Sequence, residues 1–296
     1  MSASPSRRLL RGVTAALLFA GCYAAIRAGL AYSPPFRFAA IRAFGGGILL
    51  VALLAMCRQP ILPPRRMWPT AAVLALVGTT LGFAVMFSSP GHTGTGLASV
   101  LGNVGPLLTI LLAAAWLREP LTRDKLVAFG LGIVGIVLIA WGSRWRGGHA
   151  IGLLLPLIAS ASGAGETVIV RRARVGNQYI QLAAWQFLVG SIPLFAISAV
   201  LEANVPTVWN SGFFGPLAFL TAGATAAATS LWYSVVSDGE VGRLSLILFL
   251  VPVAGLGLGS LLYAERFTAI QGAGVVFILS GLAVARLERP RPPTTL

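Results

Sequence analysis

LASVLGNVGPLLTILLAAAWLREPLTRDKLVAFGLGIVGIVLIA, residues 97–140, has a layout that returns later in the chain, from Arg243 onward. Pro106, Glu119, Thr122 and Gly135 fall in register with Pro252, Glu265, Thr268 and Gly281, each pair 146 residues apart. Coincident Leu, Ala and Gly mean little in so apolar a sequence, so the repeat rests on rarer letters sharing one offset. Working outward, Phe38-Ala-Ala-Ile-Arg42 matches Leu182-Ala-Ala-Trp-Gln186 at an offset of 144, and a loop absorbs the difference. The chain reads as two copies of one unit, 1–146 and 147–296, meeting near Gly147-Gly148.

The composition says where those units lie. Of 296 residues, 56% are hydrophobic and only 10% charged, too few to cover a surface facing water. A net charge of +14 would suggest nucleic acid in a soluble protein, but the arginines sit in short clusters between apolar runs, as in a polytopic membrane protein. Cys22 and Cys57 lie within or at the end of apolar runs and form no disulfide framework. The basic start, Arg7, Arg8 and Arg11, followed by an apolar run to Cys22, has the outline of a secretory or lipoprotein signal. It is read instead as the first helix, because the first repeat needs it and the run continues to Tyr32.

A bilayer core of ~30 Å takes ~20 apolar residues per helix, because backbone groups left open in lipid cost several kcal/mol each. Ten such runs are expected, at 13–32, 36–56, 69–89, 95–117, 126–142, 151–170, 179–201, 213–235, 244–263 and 269–287. The fold class is an all-α membrane protein of ten transmembrane helices in two five-helix repeats. Five is odd, so the second repeat enters the membrane from the opposite side and the halves are inverted. With the N-terminus inside, 16 of the 22 Lys and Arg fall on the cytoplasmic side, five fall outside, and Arg42 lies within a helix.

With these features the sequence resembles the drug/metabolite transporter superfamily in its ten-helix form of two EamA-type domains. The residues that carry the resemblance are Phe19-Ala-Gly-Cys-Tyr23, Ala40-Ile-Arg42, Pro106 to Glu119, Gly135, Trp185-Gln186, Pro252 to Glu265 and Gly281. It spans nearly the whole chain and implies a secondary carrier of small organic solutes, often an exporter. It also implies a central cavity lined by helices 1, 3, 4, 6, 8 and 9. The family usually has a small residue before the acid that ends the fourth helix, whereas Arg118 and Ala264 stand there in this chain.

Pro106 and Pro252 each remove a backbone donor near mid-helix, and matched interruptions in inverted halves point to a transport site with paired hinges. Packing alone is the plainer reading for either proline singly. Glu119 and Glu265 end apolar runs before tight turns and are expected to accept from the next helix's free N–H groups, with Thr268 to Gln271 in capping-box spacing. Glu166 interrupts an apolar run, so it faces either a cavity or, five residues from Arg171, the interface. Arg27 and Arg42 are expected to snorkel to the headgroups; a cavity-facing Arg42 would favour a carboxylate. Tyr23, Met86, Asn103, Trp232, Tyr233 and Phe249 lie on helices that the resemblance places around the cavity. Together with Arg42 and Glu166 they form the candidate substrate site, suited to an amphipathic molecule. The glycine clusters at 45–47, 130–135 and 255–259 are expected to permit close helix contact.

No catalytic constellation, metal cluster or phosphate loop is apparent, so no enzyme activity, cofactor, metal or nucleic-acid partner is expected. A carrier of amino-acid-like or amphipathic metabolites follows, as a monomer or homodimer in the bacterial inner membrane; a flippase of a lipid-linked intermediate is the alternative. Reporter fusions after Arg174 and Arg291 should read cytoplasmic and one after Glu202 external. An external C-terminus would be incompatible with ten helices.

Overall fold

The computed structural model describes residues 5–93, 101–102, 104–142, 150–237, 241–263 and 268–286. Ten helical rods occupy them, numbered here in chain order. Rod α1 comprises Pro5–Ala20 and Cys22–Gly29, α2 is Pro35–Met56, and α3 runs through Trp68–Leu74, Ala75–Leu81 and Gly82–Thr93. The first repeat closes with α4, Gly105–Leu117, and α5, Arg123–Gly142. In the second, α6 is Ala150–Arg172, α7 is Tyr179–Leu201, and α8 comprises Ser211–Ala218, Phe219–Ala227 and Ala228–Ser237. It ends with α9, which is Val241–Leu244, Ser245–Phe249 and Leu250–Tyr263, and α10, Ala269–Arg286.

The rods match the apolar runs, except that the first starts earlier and the fourth, expected over 95–117, is continuous helix only from Gly105, with 95–100 and 103 outside the described residues. Helix begins at Pro5 and not at residue 13, so Arg7 and Arg11 lie on the exposed face of its first turns. Pro34 and Pro35 start α2 in the manner proline permits, at the N-cap and first helical position, where no donor is lost. Among the described residues, five rods have both the length and the apolarity to cross a membrane: Ser6–Gly29, Pro35–Met56, Arg65–Ser89, Gly176–Leu201 and Ser211–Ser237. Leu53, Met56, Leu111, Val137, Val200 and Leu201 are exposed, a surface that suits hydrocarbon and not water.

Packing obeys a two-fold exchange of each rod with the one five places on. Rod α2 packs on α7 and α5 on α10, each pair mapping onto itself. The α3–α6 contact maps onto α8–α1, and α4–α6 onto α9–α1. The α5–α10 crossing carries the 146-residue register in atomic detail. A methyl on Gly135 would lie 2.6 Å from the Gly274 carbonyl oxygen, and one on Gly281 would lie 3.0 Å from that of Ala128. Adding 146 to 135 and subtracting it from 274 gives 281 and 128, so the second contact is the first under the exchange. Close backbone approach of this kind is what small residues supply between membrane helices. The clusters at 45–47 and 130–135 act as expected, with Gly45, Gly46, Gly47 and Gly132 each against a neighbouring side chain. In the 255–259 cluster a methyl on Gly255 would lie 3.9 Å from the Ala20 carbonyl oxygen of α1, while Gly257, like Gly130, has nothing within 4 Å.

Three arginines, Arg58, Arg118 and Arg174, have φ of 53°, 56° and 48°. These follow or end α2, α4 and α6 in the left-handed conformation that closes many helices. This accounts for the family's small residue at position 118, where a Cβ costs about 1–2 kcal/mol. The side-chain cation beside the helix C-terminus offsets part of that cost.

Gly135→Ala should lower the melting temperature of detergent-solubilised protein, corresponding to about 1–3 kcal/mol of overpacking. Gly130→Ala, whose methyl would meet nothing within 4 Å, should leave it unchanged.

Candidate functional site

The two halves leave regular helix geometry at matching places. Ala75–Leu81 in α3 and Phe219–Ala227 in α8 are π-helical, and the positions differ by 144 to 146. Rod α4 begins again at Gly105, after residues 101–102, and α9 passes through a 3-10 segment, Ser245–Phe249. Such interruptions free backbone groups, and in lipid they survive only where protein or a cavity meets them. At the α4 break the Ser160 hydroxyl donates to the Leu101 carbonyl at 2.8 Å, so α6 supplies one missing partner.

Between these segments lies a cavity of about 210 Å³. Rods α1, α3, α4, α6, α8 and α9 line most of it, as the resemblance implied, while α2 and α7 contribute one residue each, Arg42 and Phe187. The walls are largely apolar, with Phe19, Phe83 and Trp232 among them, and two of the lining side chains, Arg42 and Glu166, have opposite formal charge.

Arg42 is 2% exposed, which overturns the expectation that it snorkels. Position 42 lies seven residues into α2, about 10 Å along its axis at 1.5 Å per residue. Its stem runs sideways into the bundle: Nε donates to Thr225 Oγ1 at 2.7 Å, and the guanidinium lies 4.3 Å from the Phe83 ring centre and 5.6 Å from that of Phe87. Nη2 is 3.8 Å from Cys22 Sγ, and Nη1 is buried with no hydrogen-bond partner among the described residues. Arg27, by contrast, is exposed, in keeping with an interfacial position.

Glu166 faces the cavity and not the interface. Its Oε1 accepts from the Tyr233 hydroxyl at 2.6 Å, and a methyl on Gly78 would lie 2.5 Å from Oε2. The Tyr233 hydroxyl also contacts Gln186 Oε1, while Gln186 Nε2 is buried and unpartnered. One phenolic proton serves one acceptor at a time, so Glu166 and Gln186 compete for it.

These two centres are related by the repeat. Cys22 and Arg42 map at 144 onto Glu166 and Gln186, while Phe87 maps at 146 onto Tyr233, and Thr79 onto Thr225. The backbone contacts correspond as well. Methyls on Gly46 and Gly190 would each lie 2.5 Å from the facing π-segment threonine, from Thr225 Cγ2 and from Thr79 Cβ. One frame thus carries a cation in one half and an anion in the other.

Of the other sequence candidates, Tyr23, Met86 and Trp232 line the cavity, and Trp232 Nε1 donates to Thr167 Oγ1 at 3.1 Å. Tyr233 stands behind Glu166. Phe249 faces away, its ring 2.5 Å from where a methyl on Gly132 of α5 would lie, so it belongs to the α5–α10 core. Asn103 and Glu265 lie outside the described residues, as does the junction at 147–148. Pro106 lines the cavity, yet it sits in the first turn of α4 just after the break, not in mid-helix. Pro252 is buried immediately beyond the 3-10 segment, and its neighbours Leu248 and Val251 line the cavity. Glu119 accepts from N–H groups as expected, but from Val241 at 2.8 Å and Gly242 at 2.9 Å, so it caps α9 of the other repeat and not the next helix. Thr268 and Gln271 form the expected reciprocal capping box. Phe83 and Phe187 had no distinguishing sequence signal, being two among 15 phenylalanines.

Fold and cavity together are those of a multi-pass membrane transporter. The chain belongs to the EamA-like transporter family, whose domain it matches twice, over residues 8–141 and 150–287. It is 29% identical over 264 residues to the uncharacterized transporter YvbV of Bacillus subtilis, covering 88% of this chain and 86% of that one. It is 26% identical over 275 residues to a "probable amino-acid metabolite efflux pump" of Escherichia coli, covering 88% and 89%. A crystal structure with 23% identity superposes with a TM-score of 0.81 over 96% of this chain and 98% of that one, a likeness of fold.

Gly163 lines the cavity, and a Cβ there would meet nothing within 4 Å. Gly163→Cys, in a background lacking Cys22 and Cys57, should therefore fold normally and react with small thiol reagents from one side of the membrane. A cysteine at Gly132, facing Phe249, should not react.

Proposed function

We propose that the protein is a secondary carrier that exports small amphipathic, amino-acid-like metabolites by alternating access across a bacterial inner membrane, with both termini cytoplasmic. The observation that carries the reading is the cavity shared by the two inverted repeats, with apolar walls and two charged side chains. Its volume of about 210 Å³ lies below the ~300–1,000 Å³ typical of sites for drug-sized ligands, which favours a small metabolite over a lipid-linked intermediate. The name of the Escherichia coli relative supports the substrate class and the outward direction. Counterflow in proteoliposomes of the full chain, screened across amino acids, amines, organic acids and sugars, tests the reading. At least one amino-acid-like solute should exchange faster than in empty liposomes, and exchange of none of the panel would overturn it.

The hinges belong at the interruptions, around 104–106 in α4 and 245–252 in α9, where the two prolines keep regular helix from running through. Pro106→Ala and Pro252→Ala should retain or gain thermal stability yet transport several-fold more slowly, and should favour opposite facings. Labelling of Gly163→Cys in each background reads the facing, and wild-type rates in both variants would refute the hinges.

A further inference from the structure

We propose that the cavity selects zwitterions by their two ends, with the carboxylate of the solute on Arg42 and its ammonium group on Glu166. The inference rests on the reading of this cavity as the transport site and adds which charges it demands. Its basis is the exchange of charge between related positions. The repeat places Cys22 and Arg42 where the other half has Glu166 and Gln186, so a frame with two-fold symmetry of backbone acquires a cationic and an anionic end.

Neither end is neutralised within the described residues. Arg42 has a threonine hydroxyl, a thiol and two aromatic faces around it, and Nη1 has no partner. Glu166 has the Tyr233 hydroxyl and the Gln186 amide beside it and no cation within ion-pair distance among the described residues. Each side chain is held on its own side, Arg42 by Thr225 and Phe83, Glu166 by Tyr233, so they do not meet to cancel each other. A charge taken out of water is costly unless paired. A solute that is only an acid would pair Arg42 and leave Glu166 open, while one that is only an amine would do the reverse. A solute with both charges on one small apolar body pairs both, and its carboxylate suits the planar fork of the guanidinium.

The test uses purified full-length protein in proteoliposomes and three solutes of one carbon skeleton: leucine, 3-methylbutylamine, which lacks the carboxylate, and 4-methylpentanoate, which lacks the amine. Alanine and phenylalanine, each with its own amine and acid counterparts, widen the range of size. Wild-type protein should take up the zwitterion of at least one set about tenfold or more better than either partner, the loss expected when a charge-assisted hydrogen bond is removed. In Arg42→Gln the advantage of the zwitterion over the amine should vanish while its advantage over the acid remains. In Glu166→Gln the pattern should reverse. Arg42→Lys and Glu166→Asp keep the charges and should keep the preference, so selectivity is read even where a neutral variant folds poorly. Equal losses for all three solutes in both neutral variants would assign the pair to structure and overturn the inference. Uptake of amines or acids with no preference for a zwitterion would overturn it too, while leaving the carrier reading intact.

Discussion

A backbone N–H or C=O left open inside a bilayer has no water to turn to, and each costs several kcal/mol. Departures from regular helix are therefore permitted in few places, and among the described residues most of this chain's lie in rods that line one cavity. Rod α1 is broken at Gly21, α3 and α8 contain π-helical turns, α4 restarts at Gly105, and α9 narrows to a 3-10 segment. All five line the cavity. By contrast α2, α5, α7 and α10 run as continuous α-helix, and they form the self-paired contacts α2–α7 and α5–α10. The molecule thus divides into a regular scaffold, from which only Arg42 and Phe187 reach the cavity, and a lining made of these irregular rods together with the continuous α6, which carries Glu166.

The same division explains what could be read from sequence. Apolar length marks the ten rods because hydrocarbon thickness sets it, and the register shows because Pro, Glu and Thr are scarce in such a chain. The direction in which a side chain points was readable only where the helix is regular. Phe249 ends a five-residue 3-10 segment. At three residues per turn in place of 3.6, five residues turn the helix about 100° further, which carries the ring from the expected cavity face to α5. Met86 and Trp232, in the α-helical ends of α3 and α8, face as the alignment required. Arg42 was misplaced for another reason. Seven residues from a helix end is within reach of snorkelling by length alone, and nothing in the sequence near Arg42 reveals that Thr225, 183 residues away, receives its Nε proton.

Glu119 carries the same lesson in a milder form. An acid at a helix end is legible as a cap, since free N–H groups at a helix start attract a carboxylate. Which helix it caps is a tertiary fact. The carboxylate reaches Val241 and Gly242, 122 and 123 residues away, and lies 3.9 Å from Lys125 Nζ, so it joins the end of α4 to the start of α9 across the repeat boundary.

Inverted repeats give a carrier two facings of similar energy, because exchanging the conformations of the halves returns nearly the same set of contacts. Here the exchange preserves packing more faithfully than chemistry. Gly46 against Thr225 and Gly190 against Thr79 are the same contact, as are Gly135 against Gly274 and Gly281 against Ala128. Arg42 and Gln186, or Cys22 and Glu166, occupy equivalent places with different charge. Under the proposed function, the residues that set the balance between facings are thus small and matched, while those that would meet the solute are polar and unmatched. On that reading symmetric packing would keep the two facings close in energy, and asymmetric charge would give a solute one orientation in both of them. A pair of identical halves would offer the first without the second, whereas duplication followed by substitution at a few cavity positions supplies both within one chain.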